Sequence, residues 1–142
     1  MNLNVKIKYC DGVEELKAIK QGDLIDLSVA ENVAMKQGEY KLLSLGVAME
    51  LPEGTMAMIF SRSSTPAKHG IMIANSVGII DESYCGNDDI WRFPAYAIRD
   101  TTIKKGTRIA QFMIVPKPEK PVFETVDHLA GANRGGIGST GE

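Results

Sequence analysis

The chain has 142 residues, 44% of them hydrophobic and 24% charged, which is the size of one domain. A chain of that length buries roughly 68–70% of its unfolded surface. Sixteen basic against eighteen acidic residues leave a net charge of -2, with no acidic tail or basic block, so a duplex-coating nucleic-acid binder is excluded.

Strand periodicity dominates, in chain order. Val5, Ile7 and Tyr9 alternate with Lys6 and Lys8, and Ile25, Leu27 and Val29 alternate with Asp26, Ser28 and Ala30. Leu43, Leu45, Val47, Met49 and Leu51 keep a period of two over nine residues, which puts one face in a core. Shorter runs follow at 56–61, 71–74, 78–80, 95–98, 109–115 and 122–126, with Gly or Pro in nearly every gap. Two short helices are predicted between them. One follows the capping-box pattern Asp11-Gly12-Val13-Glu14 and carries Val13, Leu16 and Ile19 on one face. The other starts at a Thr65 cap with Pro66 in its first turn and stops at Gly70. The fold class is mostly β: a jelly-roll-like barrel or sandwich with one or two short helices. Three prolines in the six residues 116–121 make a stiff connector. The apolar run beyond it could pair with another chain or return to its own sheet.

Apolar runs fall far short of the ~20 residues that span a bilayer, and Met1 to Lys8 lacks a signal-peptide core. No membrane association is expected. Cys10 and Cys85 have no CxxC spacing and no neighbouring His pair, so zinc and disulfide frameworks are unsupported and a cytoplasmic setting is expected. His69 and His128 are isolated, Asp88-Asp89 reads as a solvated turn, and Trp91, Phe93 and Tyr96 read as core or subunit-contact aromatics.

Four segments carry chemistry. Ser61-Arg62-Ser63-Ser64 offers a guanidinium, hydroxyls and N–H groups before a helix start, which suits an anion or a plain capped helix. In Asn75 through Gly86, Asp81 ends an apolar run and could serve as a base, or as an ordinary turn aspartate. Gln111 follows the turn Gly106-Thr107-Arg108 and could bond a ligand or solvent. Asn133 to Gly141 is glycine-rich with one Arg and two hydroxyls. It could wrap a polyphosphate, but it lacks the Gly-Lys-Ser/Thr ending of a P-loop.

In order and spacing, these four segments, with Gly22 to Leu27 before them, resemble the five motifs of the trimeric dUTP pyrophosphatase (dUTPase) family. The motifs are Gly22 to Leu27 with its Asp26-Leu27 pair, Pro52-x-Gly54 leading to Arg62-Ser63-Ser64 and Gly70, Asn75 to Gly86, Gly106 to Gln111, and Arg134 to Gly141. The resemblance implies an enzyme hydrolysing dUTP to dUMP and pyrophosphate, which keeps uracil out of DNA and supplies dUMP for thymidylate synthesis. It implies a homotrimer with active sites shared between subunits, residues 1–115 as the jelly-roll domain, and residues 116–142 as an exchanged arm with a phosphate-clamping lid. By that resemblance Asp81 is the general base, and Asp26 holds Mg²⁺ indirectly, through water. Arg62, Ser63, Ser64 and Gln111 hold phosphate oxygens. Asn75, Gly78, Ile79 and Ile80 present the uracil edge, Tyr84 lies under the sugar, and Arg134, Gly136, Ile137, Ser139 and Thr140 close over the nucleotide. Ile137 stands where the family usually has an aromatic that stacks on uracil. The rival readings are a dCTP deaminase of the same fold, which needs a glutamate base, a dUTP-binding regulatory trimer, and a purely structural jelly roll.

Overall fold

The computed structural model describes residues 3–17, 21–138 and 141. Among them the strands are β1 (Lys6–Tyr9), β2 (Ile25–Ser28), β3 (Val33–Met35), β4 (Tyr40–Ser44), β5 (Val47–Glu50), β6 (Thr55–Ser61), β7 (Ile71–Ile73), β8 (Gly78–Ile80), β9 (Arg92–Ala97), β10 (Thr101–Ile103) and β11 (Arg108–Pro116). One helix, α1 (Thr65–His69), lies between β6 and β7. A four-stranded sheet runs β2-β11-β6-β8, a three-stranded sheet runs β4-β9-β7, and β1-β5 and β3-β10 form two further pairs. Every pairing is antiparallel. The architecture is the expected jelly-roll-like one, with one helix.

The Leu43–Leu51 alternation survives a break in its strand. Leu43, Leu45, Val47, Met49 and Leu51 are all buried, yet β4 ends at Ser44 and β5 begins at Val47. The break is at Gly46, whose φ is 72°, and a Cβ there would lie 2.7 Å from Val13 Cγ2. Both the backbone conformation and the close approach exclude a side chain. The inner faces of the two larger sheets share one core, with Leu27, Ile59 and Ile109 from one and Leu43, Ile71 and Phe93 from the other. Trp91, fully buried, meets Phe112 edge-on with ring centroids 5.1 Å apart.

Two sequence expectations are corrected. Residues 11–17 form a turn and an irregular segment rather than a helix. The Leu16 N–H, which a helix would pair with the Gly12 carbonyl, donates to Tyr9 Oη at 2.9 Å. Ile19 lies outside the described residues. Residues 122–126 form no strand in the single chain, and Val122 and Phe123 are 97% and 89% exposed. The 65–70 helix is found with its cap moved by one: Ser64 is the N-cap, and Gly70 closes the end in the left-handed region. Thr65 is instead fully buried and donates to the Ile109 carbonyl at 2.7 Å, tying α1 to β11. None of the helices is long and apolar enough to cross a membrane among the described residues.

At one end of the four-stranded sheet, three segments are clasped together. Gly54 N–H donates to Glu82 Oε1 at 2.6 Å, Lys117 N–H donates to the Gly54 carbonyl at 2.9 Å, and Lys117 Nζ lies 3.0 Å from Glu82 Oε1. The Lys117 ammonium, then the Gly54 amide, hold the Glu82 carboxyl below the ordinary glutamate range. A lowered value stabilises the clasp at neutral pH, and that contribution disappears as the pH falls through the folded-state value. Carboxyl-carbon NMR should therefore show Glu82 titrating below a solvated glutamate, with the Gly54 amide resonance following the same curve. A midpoint in the ordinary range, or an indifferent Gly54 amide, contradicts the clasp. In the core, Trp91→Ala should cost about 3–5 kcal/mol in urea unfolding. Trp91→Phe should cost much less, because the buried indole N–H has no hydrogen-bond partner among the described residues.

Candidate active site

The phosphate-side residues of the sequence reading converge at the far end of that sheet. Asp26 on β2 and Gln111 on β11 face each other across the ladder, and Gln111 faces Phe60 on β6. Arg62 leaves the end of β6 with its N–H donating to the Ile109 carbonyl at 3.3 Å. A register shift in the β2–β11 ladder between Arg108, opposite Ser28, and Ala110, opposite Leu27, leaves Ile109 as the extra residue of a bulge beside Arg108.

Both guanidiniums then reach the same carboxylate. Arg62 Nε lies 3.3 Å from Asp26 Oδ1, and Arg108 Nη1 lies 3.2 Å from Oδ2. The Asp26 side chain is 11% exposed, so the pair of cations offsets its loss of solvation. Arg62 Nη1 also donates to the Arg108 carbonyl at 3.4 Å, and Gln111 Nε2 donates to the Ser61 carbonyl at 3.4 Å. Ser63 is exposed beside them and Ser64 is half-buried as the α1 cap. With two guanidiniums on one carboxylate, this group keeps one positive charge for an anion. A cavity of about 700 Å³ opens beside it, lined by Asp26, Ser28, Arg108 and the 12–17 segment.

The hairpin of Asn75–Tyr84 has its own geometry. Val77 N–H donates to the Asn75 carbonyl at 2.7 Å across Ser76, whose φ is 62°. This is a γ-turn with positive φ, a strained form for a residue with a side chain. Gly78 is packed on β6, where a Cβ would lie 3.3 Å from Ile59 Cβ. Asn75 and Asp81 are exposed, Ile79 is 50% exposed, and Ile80 is half-buried. Tyr84 N–H donates to the Asp81 carbonyl at 3.0 Å, and Tyr84 Oη donates to the Ile90 carbonyl at 2.9 Å. The Asp89 carboxylate accepts from Gly86 N–H at 2.8 Å, which makes 86–89 a closed turn, in line with the reading of Asp88-Asp89 as one.

One copy of the chain does not bring these two groups together. β8 pairs with β6 so that Ile80 faces Ala57, and Asp81 therefore lies level with Met56. Arg62 is six residues further along β6, about 20 Å at 3.3 Å per residue. Arg134, Gly136 and Ile137 lie apart from both in an exposed, strand-free segment, with Ile137 fully exposed. Ser139 and Thr140 are outside the described residues. The sequence reading did not assign Arg108, Ser76 or the Glu82–Lys117 pair to the site. Arg108 was present in the fourth motif. Ser76 and the pair gave no local signal, since one is a backbone conformation and the other joins residues 35 positions apart.

Comparison with known proteins places this arrangement. The dUTPase family model matches residues 20–141. The SPbeta prophage-derived deoxyuridine 5'-triphosphate nucleotidohydrolase YosS of Bacillus subtilis is 53% identical over 140 residues, 98% of this chain and 99% of that protein. A variant dUTPase of Staphylococcus bacteriophage 80alpha, solved with dUpNHpp, superposes with a TM-score of 0.78 at 22% identity, covering 98% of this chain and 99% of that one. A variant dUTPase from phage phi11 of S. aureus, whose structure reveals the coordination of a structural Mg(II) ion, gives a TM-score of 0.73 at 20% identity over 88% of this chain and 97% of that one. Matched over nearly its whole length, the chain belongs to the dUTPase family of dUTP-hydrolysing enzymes.

Proposed function

We propose that the chain hydrolyses dUTP to dUMP and pyrophosphate in a site that takes its residues from more than one copy. The observation that carries this reading is the separation within one chain. Along β6, Asp81 lies about 20 Å from Arg62 and about 13 Å from the level of Gln111 and Asp26. A nucleotide triphosphate held at one of them needs the other from a neighbouring subunit. A homotrimer that exchanges residues 116–142 as an arm satisfies this. Apolar surface for such an assembly is available: Tyr40, Leu42, Met72 and Tyr96 lie exposed on the β4-β9-β7 sheet, and Val122, Phe123 and Leu129 are exposed beyond the connector.

In this reading Arg62, Ser63, Ser64 and Gln111 hold the phosphate chain. Asp81 accepts a proton from the water whose oxygen attacks the α-phosphorus, and the bridging oxygen leaves with pyrophosphate. Guanidinium charge beside the phosphates stabilises the charge that develops as that bond breaks. Asp26 is suited to hold Mg²⁺ through water. It is one carboxylate between two cations, a poor direct cage but a good partner for an ion that keeps its waters and arrives with phosphates. When bound, Mg²⁺ neutralises and orients the triphosphate.

The Asn75–Tyr84 hairpin reads the base through main-chain groups exposed by its γ-turn and through the Asn75 amide. Cytosine presents the opposite donor and acceptor and leaves them unpaired. Tyr84, fixed by its bond to Ile90, closes the sugar side. Arg134, Gly136, Ile137, Ser139 and Thr140 form the lid, and the enzyme keeps uracil out of DNA while supplying dUMP for thymidylate synthesis. A deaminase reading is less well supported. The glutamate beside Asp81 is already committed to Lys117 and Gly54, and is not poised as a base at a cytosine ring.

With Mg²⁺ present, pyrophosphate should be released from dUTP and not from dCTP, dTTP or UTP. Asp81→Asn should lower kcat by about 10²–10⁴-fold. Ammonia from dCTP, or full turnover by Asp81→Asn, contradicts the assignment. Ile137→Phe should lower KM for dUTP by restoring a stacking surface, and an unchanged KM removes Ile137 from the base pocket.

A further inference from the structure

The Glu82 clasp has a place in the reaction as well as in the sheet. β8 is three residues long and pairs with β6 on one side, at the edge of its sheet. Asp81 follows its last residue directly and is solvent-exposed. The turn bond from Tyr84 N–H to the Asp81 carbonyl fixes the shape of the bend, and Tyr84 Oη fixes its far side on Ile90. Neither bond fixes the attitude of the near side to the sheet. The next side chain does so. Glu82 reaches across the start of β6 to Gly54 and to Lys117, the residue that follows the last residue of β11.

From this geometry we propose that Glu82 and Lys117 are positioning residues for Asp81, holding its carboxylate where the attacking water must sit. The inference rests on the assignment of Asp81 as the base. The Gly54 peptide is bracketed on both sides, its N–H by Glu82 and its carbonyl by Lys117 N–H, so the three segments share one rigid corner. Lys117 is also the second residue of the 116–121 connector, so the root of the arm and the base-bearing bend are fixed by the same pair. As a solvent-exposed ion pair it contributes little to global stability, because water and salt screen it. Its effect is local. A displacement of about 1 Å at a reacting group can cost on the order of 10²-fold in rate.

The test is steady-state kinetics on full-length Lys117→Met, Lys117→Arg, Glu82→Gln and Glu82→Ala, beside Asp81→Asn. Lys117→Met and Glu82→Ala should lower kcat by about 10-fold or more with little change in KM. Lys117→Arg should recover most of the rate. Glu82→Gln, which keeps an acceptor for Gly54 N–H, should fall between wild type and Glu82→Ala. Affinity for the non-hydrolysable analogue dUpNHpp should be unchanged in all four, and the Asp81 amide resonance should move with the kcat loss. If Asp81→Asn is inactive while the clasp variants keep full kcat, the positioning role is overturned and the base assignment stands. Full turnover by Asp81→Asn overturns both. A loss confined to KM, or equal losses in Lys117→Arg and Lys117→Met, also overturns the positioning role.

Discussion

β6 runs through the middle of the four-stranded sheet and holds the two halves of the chemistry at opposite ends. At its end stand Arg62 and, through the β11 ladder, Gln111 and Asp26. Against its beginning lie the bend of Asp81 and the Gly54 turn. A strand of this kind does not shorten or fold, so its length sets a distance that no side-chain motion closes. The rest follows from that constraint: an anion group with no proposed base beside it, a proposed base with no anion group beside it, and a tail with apolar residues uncovered.

Electrostatics at the anion group point the same way. Asp26, nearly buried, is tolerable there because two guanidiniums share it. The same contacts hold Arg62 and Arg108 in place before a ligand arrives, so less side-chain entropy remains to be lost on binding. Gln111 adds a neutral donor fixed on the Ser61 carbonyl. The Asn75–Tyr84 hairpin is built on other terms. It uses main-chain conformation, with Ser76 at positive φ and Gly78 pressed on Ile59. It is fastened on one side by the Tyr84–Ile90 hydrogen bond and on the other by the Glu82 contacts to Gly54 and Lys117.

Local chemistry was legible in the sequence and long-range partnership was not. The Leu43–Leu51 alternation predicted five buried side chains even though the strand breaks at Gly46, because facing depends on parity rather than on unbroken pairing. Ala48, expected on the outward face, is buried as well. Pro66 and Gly70 marked the helix ends through backbone conformations that their own residue types dictate. The helix predicted from Asp11 is absent over residues 11–17, where the Tyr9 hydroxyl, from the preceding strand, takes the Leu16 amide. The three-residue strands β3 and β10 went unseen, although the equally short β7 and β8 were read. Thr65 shows the limit most clearly: its hydroxyl caps nothing and bonds Ile109, 44 positions away. The family motifs were readable because each is a short turn or strand end. Their placement at opposite ends of β6 depends on the order of strands in the sheet, which no window of sequence contains.

The central claim is that Asp81 and the Arg62 group serve the same nucleotide only when they come from different copies. The direct measurement is to unfold and refold an equal mixture of Asp81→Asn and Arg62→Ala chains and assay dUTP hydrolysis. Each variant alone should be nearly inactive. Random mixing should regain roughly a quarter of the wild-type rate, because some interfaces then pair an intact hairpin with an intact arginine. A mixture no more active than its two components would show that both residues must lie in one chain, contradicting the account.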